Sequence, residues 1–229
     1  MPDWPRPSTR RTAHPWHLEG GGRGDDGGWV GSEVGKWSPL APEELPAVLA
    51  DARGPWWLAG GWAVDAHLGK QTREHSDVDV LILRRDLLTF RESLQGWDVH
   101  AADPPGRLRP WPRGQVLSAS VHDVWVRRSS REDWSLQIMI DDTYGPDWLY
   151  RREPRIRRPI TQISGPSSDD LRQVLAPEIQ LLAKSTDIRP KDQQDFNALL
   201  PVLLATERHW LCEALDLTSP DHPWLGQLR

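Results

Sequence analysis

The run Asp77-Val78-Asp79-Val80-Leu81-Ile82-Leu83 constrains the fold of this chain more than any other segment. Side chains of a strand alternate between its two faces, so Val78, Val80 and Ile82 point one way and Asp79, Leu81 and Leu83 the other. A strand that is apolar on both faces belongs in the interior of a sheet with cover on each side. The two acids at its head are the exception to that pattern.

The neighbouring segments supply the cover. Pro42-Glu43-Glu44 opens a helix with Leu45, Val48 and Leu49 on its apolar face, shortened or bent by Pro46. Trp56-Trp57-Leu58-Ala59 is a short strand running into Gly60-Gly61, and Trp62 to Leu68 resumes at helical spacing and stops at Gly69. Residues 86–95 suit an amphipathic helix and Trp97 to His100 a strand. Val116 to Arg127 and Trp134 to Ile140 are further strand candidates on either side of a hairpin loop. From residue 169 the spacing turns helical: Leu171, Val174 and Leu175, then Ile179, Leu181 and Leu182, then Phe196, Leu199, Leu200, Leu203 and Leu204. Trp210, Leu211 and Leu215 complete a small bundle. The expectation is an α+β fold, a small mixed β-sheet flanked by helices over residues 39–165, with a C-terminal helical region over 166–229. Residues 1–38, rich in Gly and Pro, read as a flexible leader whose tryptophans, Trp37 among them, offer a way to dock on the folded body.

With 229 residues the chain can bury one substantial core or two small ones. A formal net charge of −5 argues against a nucleic-acid footprint spread over the whole surface, while leaving room for a local basic patch. Cys212 is the sole cysteine, which excludes an intrachain disulfide and a cysteine zinc site. The N-terminus lacks an apolar signal region and no stretch approaches the ~20 apolar residues that span a bilayer, so a cytoplasmic protein without membrane contact is expected.

Asp77 and Asp79, two apart, share one face and can grip the same ions. Converging carboxylates stay ionised only with a compensating charge, and Mg²⁺ supplies it where phosphates are also bound. A diglycine turn ahead of a helix lets backbone N–H groups approach phosphate oxygens, helped by the helix dipole. Either feature alone is common as a strand cap or an ordinary turn. The order strand, Gly60-Gly61, short helix, polar loop, Asp77-Val78-Asp79 is much more specific.

That order, Gly60-Gly61-Trp62-Ala63-Val64-Asp65 through His75-Ser76-Asp77-Val78-Asp79-Val80, resembles the signature of aminoglycoside nucleotidyltransferases. The resemblance is to the group modifying the 2''-hydroxyl and to related lincosamide enzymes, within the DNA polymerase beta-like superfamily. It implies that Gly60 and Gly61 hold the triphosphate of ATP and that Asp77 and Asp79 bind Mg²⁺, two ions by expectation. It implies further that AMP passes to a drug hydroxyl, an aminoglycoside being the acceptor expected. Arg73 and His75 precede the acids where the family carries polar residues, and are expected to help position phosphates.

The family also uses a third carboxylate from a neighbouring strand, which falls in Trp134 to Asp142. Asp141 is the expected residue, with Asp142 and Gln137 as the open alternatives; an amide at that place cannot take a proton. Lys184 and the segment Arg189-Pro190-Lys191-Asp192-Gln193-Gln194-Asp195-Phe196 resemble the Lys-Asp-x-x-Asp stretch of stand-alone bacterial nucleotidyltransferases, toxin-type members included. Either Lys184 or Lys191 meets the triphosphate, or Asp192 caps a helix and the charges are solvated. The arginines between Arg151 and Arg158 serve phosphates or RNA, or form a solvated connector. His100 and His122 lack a partner at metal-ligand spacing. Two further readings stay open: a toxin-like enzyme acting on tRNA or protein, and a nucleotide-binding homologue without catalysis.

Overall fold

The computed structural model describes residues 35–104, 106–165 and 173–229. After a 3-10 turn at Pro42–Glu44 the chain forms α1 (Leu45–Val48), β1 (Trp56–Ala59), α2 (Gly60–Leu68), β2 (Asp79–Leu83), α3 (Leu87–Ser93), β3 (Asp98–Ala102) and β4 (Leu108–Pro110). Then come β5 (Asp123–Arg127), β6 (Leu136–Tyr144), β7 (Asp147–Leu149), β8 (Arg157–Pro159), β9 (Ser164–Gly165) and β10 (Val174–Leu175). The chain ends in α4 (Pro177–Lys184), α5 (Pro190–Leu199), α6 (Ala205–Thr218) and α7 (Leu225–Leu228).

The strands make one open mixed sheet in the order β4-β3-β5-β6-β2-β1-β10-β9, with β7 and β8 extending from the far end of β6. β2 runs antiparallel to β1 and parallel to β6, and β6 runs antiparallel to β5. β2 is therefore interior, as its double-sided apolar pattern requires. Leu81 and Leu83 enter a core shared with α4, α5, α6 and α7, while Val80 and Ile82 enter a second core with Leu45, Phe90, Leu94 and Trp111. Asp79 has the parity of Leu81, which turns its carboxylate toward the C-terminal helices.

The expected strand at 56–59 and helices near 87–93, 177–184 and 190–199 are present. Three details differ from expectation. The helix after β1 starts at Gly60 itself, so the diglycine forms the first turn of α2 and is not a loop ahead of it. Val174 and Leu175, read as helical, form a strand that pairs parallel with β1, its Leu175 carbonyl accepting from His67 Nε2 at 2.8 Å. A two-residue strand is too short to display a period. The expected strand from Val116 shortens to Asp123–Arg127, and that from Trp134 begins at Leu136 and runs on to Tyr144. Most of the expected leader, and Leu171, lie outside the described residues. Its end does dock: Trp37 bridges to Trp134 and sets its ring edge against Trp125 at 4.8 Å.

The C-terminal helices and one face of the sheet share a core. Phe196 of α5 is fully buried and lies flat on Trp224, with ring centres 4.3 Å apart. Truncation to alanine removes both a packed ring and its partner's contact, so Phe196→Ala should cost about 3–5 kcal/mol in a urea unfolding experiment. A loss below about 1 kcal/mol would show that α5 is not part of the cooperative core.

Candidate active site

A cavity of about 390 Å³ opens between the sheet and the C-terminal helices. Its floor comes from three adjacent strands. Asp79 of β2 sits opposite Gln137 of β6, and Leu81 opposite Met139. Met139 in turn sits opposite Asp123 of β5. Directly opposed residues point to the same face, so Asp79, Gln137, Asp123 and, farther along β6, Asp141 share it. Asp77, just ahead of β2, lines the same space. From the C-terminal segments Lys184, Arg189 and Lys191 line it, and Trp148, Arg151 and Arg152 complete the lining.

The two glycines serve close approach. Gly60 has φ +69, in the left-handed region, and a Cβ there would overlap the Asp79 carboxylate. At Gly61 a Cβ would run into the His75 imidazole and the Arg73 guanidinium. The Gly60 N–H donates to Gln180 Oε1 at 2.9 Å, which ties the start of α2 to α4. Glycine is needed here because three functional side chains crowd one turn of backbone.

The polar loop after α2 is folded around Asp65. Its Oδ1 accepts from the Thr72 N–H at 3.0 Å and the Thr72 hydroxyl at 2.5 Å, and its Oδ2 lies 2.5 Å from His75 Nε2. His75 also packs on Trp62 at 4.6 Å between ring centres. Its imidazole is not part of the cavity lining. It braces the loop that delivers Asp77. Burial lowers the His75 pKa below its ordinary value, outweighing the attraction of Asp65, and the Arg73 charge acts in the same direction as burial.

Beyond that loop an ion network crosses to α5. Arg73 donates through Nε and Nη2 to both oxygens of Asp195, each at 2.9 Å. Lys184 Nζ lies 2.8 Å from Asp195 and 3.4 Å from Asp192. Arg189 donates to Asp192 through Nε at 2.6 Å and Nη2 at 2.9 Å, and its backbone N–H at 3.1 Å makes Asp192 the cap of α5. Asp192 thus caps α5, as one of the two sequence alternatives has it, but the charges around it are paired and buried and not solvated. Burial opposes the charge on Asp192 and Asp195, yet the arginines and Lys184 hold both pKa values below the usual carboxylate range. Arg73 and Arg189 are held correspondingly high against their own burial, and Asp77 attracts both. Lys191 is different: burial and the neighbouring Arg189 lower its pKa, while Asp77 pulls it up.

The candidate third acids divide. Asp141 accepts from Trp148 Nε1 at 2.8 Å, and burial raises its pKa. Asp142 pairs with Arg84 at 2.5 Å and is not part of the cavity lining. Gln137 stands beside Asp79, where its Nε2 donates to Asp123 Oδ1 at 2.9 Å. Sequence reasoning missed Asp123, Gln180 and Arg189 as parts of this cavity. Asp123 and Gln180 carry no local signal, since each arrives through pairing or packing with residues far away in the chain, whereas Arg189 stands in the segment already singled out, three residues before Asp192.

Among the described residues no group of three or more His, Cys, Asp or Glu side chains is arranged to hold a metal alone. Asp77 and Asp79, opening on a cavity with cations opposite, fit a hard dication that takes its other ligands from phosphate and water. Among the described residues no helix is long and apolar enough to cross a membrane.

Residues 43–99 match the family model of aminoglycoside-2''-adenylyltransferases. Over 32 residues the chain is 56% identical to 2''-aminoglycoside nucleotidyltransferases of Escherichia coli and Klebsiella pneumoniae. That stretch is 14% of this chain and 18% of those relatives, so the chain spans under a fifth of the length of the curated relatives it matches. The crystal structure of the lincosamide antibiotic adenylyltransferase LnuA, lincomycin-bound, covers 72% of this chain and all of its own, with a TM-score of 0.50 and 19% identity. A structure of ANT(2'')-Ia in complex with adenylyl-2''-tobramycin covers 77% and 96%, with a TM-score of 0.47 and 15% identity. The likeness to LnuA establishes a shared fold, and residues 43–99 carry the family resemblance.

The His75 environment has a direct consequence. In ring-nitrogen NMR its imidazole should lose its proton with a midpoint below the usual value of about 6.5. The unfolded chain then takes up a proton that the folded one refuses. Stability from this residue is therefore complete above about pH 6.5 and is lost as pH falls toward the folded-state pKa. A midpoint at or above 6.5 would show that the Asp65 contact outweighs burial.

Proposed function

We propose that this chain is a nucleotidyltransferase that moves AMP from ATP to a hydroxyl of a small-molecule acceptor, of the aminoglycoside type. The observation that carries this reading is the opposition across one cavity of Asp77 and Asp79 on the sheet side and Lys191 and Arg189 on the helix side. Residues 39–165 then bring the acids and residues 166–229 the cations, and the active site lies where they face each other. The match at residues 43–99 supports the donor half of the assignment. The lone cysteine and the use of ATP suit a cytoplasmic setting.

Asp77 and Asp79 would hold Mg²⁺, which when bound neutralises phosphate charge and favours departure of pyrophosphate. The protein's own work is positional. Gly60 and Gly61 keep the backbone thin enough for Asp79 to lie against the first turn of α2. Arg73 and Asp195 clamp the acidic loop to α5, so the two walls of the cavity keep a fixed separation. Lys191, with its proton loosened by burial, regains a favourable environment when phosphate charge enters. An acceptor carrying several ammonium groups suits the negative net charge of −5.

The test is transfer of label from radiolabelled ATP with Mg²⁺ to a panel of aminoglycosides, lincosamides and total tRNA, with pyrophosphate release followed in parallel. Label on a drug is the expected result. Label on tRNA alone would move the acceptor to a macromolecule, and salt sensitivity would accompany it. Asp77→Asn and Asp79→Asn should each lower turnover by about 100-fold or more while leaving the unfolding midpoint nearly unchanged, since each removes one charge from a metal site. Full activity in either variant would overturn the assignment.

A further inference from the structure

We propose that Asp123 is the catalytic carboxylate that accepts the proton of the acceptor hydroxyl, and that Gln137 is the residue that positions it. This rests on the nucleotidyl-transfer reading above. The third acid then comes from β5 and not from β6, where the sequence places it.

Geometry eliminates the β6 acids first. Asp142 is held by Arg84 and is not part of the cavity lining. Asp141 shares the face of Gln137 but lies four residues on, about 13 Å along an extended strand. One of its oxygens is also taken by the Trp148 Nε1–H, and burial raises its pKa. Gln137 holds the right place, directly across from Asp79, and has no basic atom.

Asp123 reaches toward that place from the next strand, its carboxylate meeting the Gln137 amide. It opens β5 opposite Met139 and faces the same side of the sheet as Asp79, with β6 between them. Strands on either side of an intervening one stand about 10 Å apart, and the two-residue stagger between Gln137 and Met139 brings the Asp79 and Asp123 backbones to about 12 Å, so the two side chains reaching in from β2 and β5 leave room for a phosphorus centre and a hydroxyl between them. Asp123 is 4% exposed and lines the cavity. Its Oδ1 accepts from Gln137 Nε2 at 2.9 Å, and among the described residues no donor is found on Oδ2. An amide donor orients a carboxylate without cancelling its charge, as an arginine in the same place would. A buried acid that lines the cavity with one oxygen fixed by a neutral group is arranged to receive a proton.

The step balances. The acceptor oxygen bonds to the α-phosphorus, the bond from the α-phosphorus to the bridging oxygen breaks, and pyrophosphate leaves with that electron pair. The hydroxyl proton passes to Asp123 and from there to water.

Three proteins test this: wild type, Asp123→Asn, and the double variant D123N/Q137E, each assayed for label transfer and for Mg-ATP binding by equilibrium dialysis. Asp123→Asn should lower kcat at least about 100-fold, with Mg-ATP binding within about twofold of wild type. The double variant keeps the same hydrogen bond with donor and acceptor exchanged, and puts a carboxylate beside Asp79. It should recover at least about tenfold over the single variant. Because the exchange also restores the hydrogen bond, the readout that separates catalysis from structure is the single variant, whose kcat falls while its urea midpoint and Mg-ATP binding hold, where a merely structural role would move all three together. Asp123→Asn with kcat within about threefold of wild type would overturn the proposal, as would a folded, ATP-binding double variant no better than the single one. If Asp77→Asn is dead while Asp123→Asn is active, transfer stands and Asp123 falls. If wild type binds Mg-ATP and labels no acceptor, both fall together.

Discussion

The structure depends on placing negative charge at the head of a strand that must be buried on both faces. β2 earns its interior position from Val80, Leu81, Ile82 and Leu83, all almost completely inaccessible. Asp77 and Asp79 are carried to the edge of the same interior. A carboxylate brought toward low dielectric without a partner costs several kcal/mol, whereas a cation at about 4 Å with an effective dielectric near 20 returns about 4 kcal/mol. The surrounding architecture answers that constraint with cations on α5 and the residues before it, at Arg189 and Lys191.

Those cations need holding in turn, and the chain Arg73, Asp195, Lys184, Asp192, Arg189 does this. Asp195 and Asp192 are among the most buried charged residues described, and each binds two basic side chains. Surface ion pairs contribute little, but removal of one partner from a buried set strands a charge and costs about 3–5 kcal/mol. The network therefore acts as a rigid bracket between the acidic loop and α5. Asp65 plays the same part on a smaller scale, closing the loop through Thr72 and His75. Arg73 and His75, which the family resemblance implies for phosphates, are both engaged in this bracing, and Arg73 alone of the two also lines the cavity.

How much of this was legible in the sequence follows from how local each signal is. The period of β2, the apolar run of β1, the diglycine and the Asp77-Val78-Asp79 motif each occupy a few consecutive residues, and the structure places them together around one cavity. The helices α4, α5 and α6 were readable because they are long enough to repeat a 3.6-residue spacing. β7, β8, β9 and β10 have two or three residues each and borrow their conformation from neighbours. Asp123 was hidden inside a longer expected strand from Val116. Only the register against β6 reveals that it shares a face with Asp79. Arg73 and Asp195 are 122 residues apart, and no window of sequence contains both.

The reach of the family resemblance has a physical reading. The matched segment, residues 43–99, runs from α1 through the glycine turn and the acidic pair into β3, and stops before β5 and β6. It therefore covers the part of the cavity where a triphosphate and its metal would sit, chemistry that is the same for any acceptor. Asp123, Gln137, Asp141, Trp148, Arg151 and Arg152 all lie beyond it and line the remaining walls. Donor chemistry restricts the first half tightly, since two carboxylates and a backbone without Cβ atoms leave few alternatives. An acceptor hydroxyl asks only for one basic oxygen within reach, which any strand on the shared face can supply. On the reading proposed, that oxygen comes from β5, and the Gln137 amide beside Asp79 holds it in place.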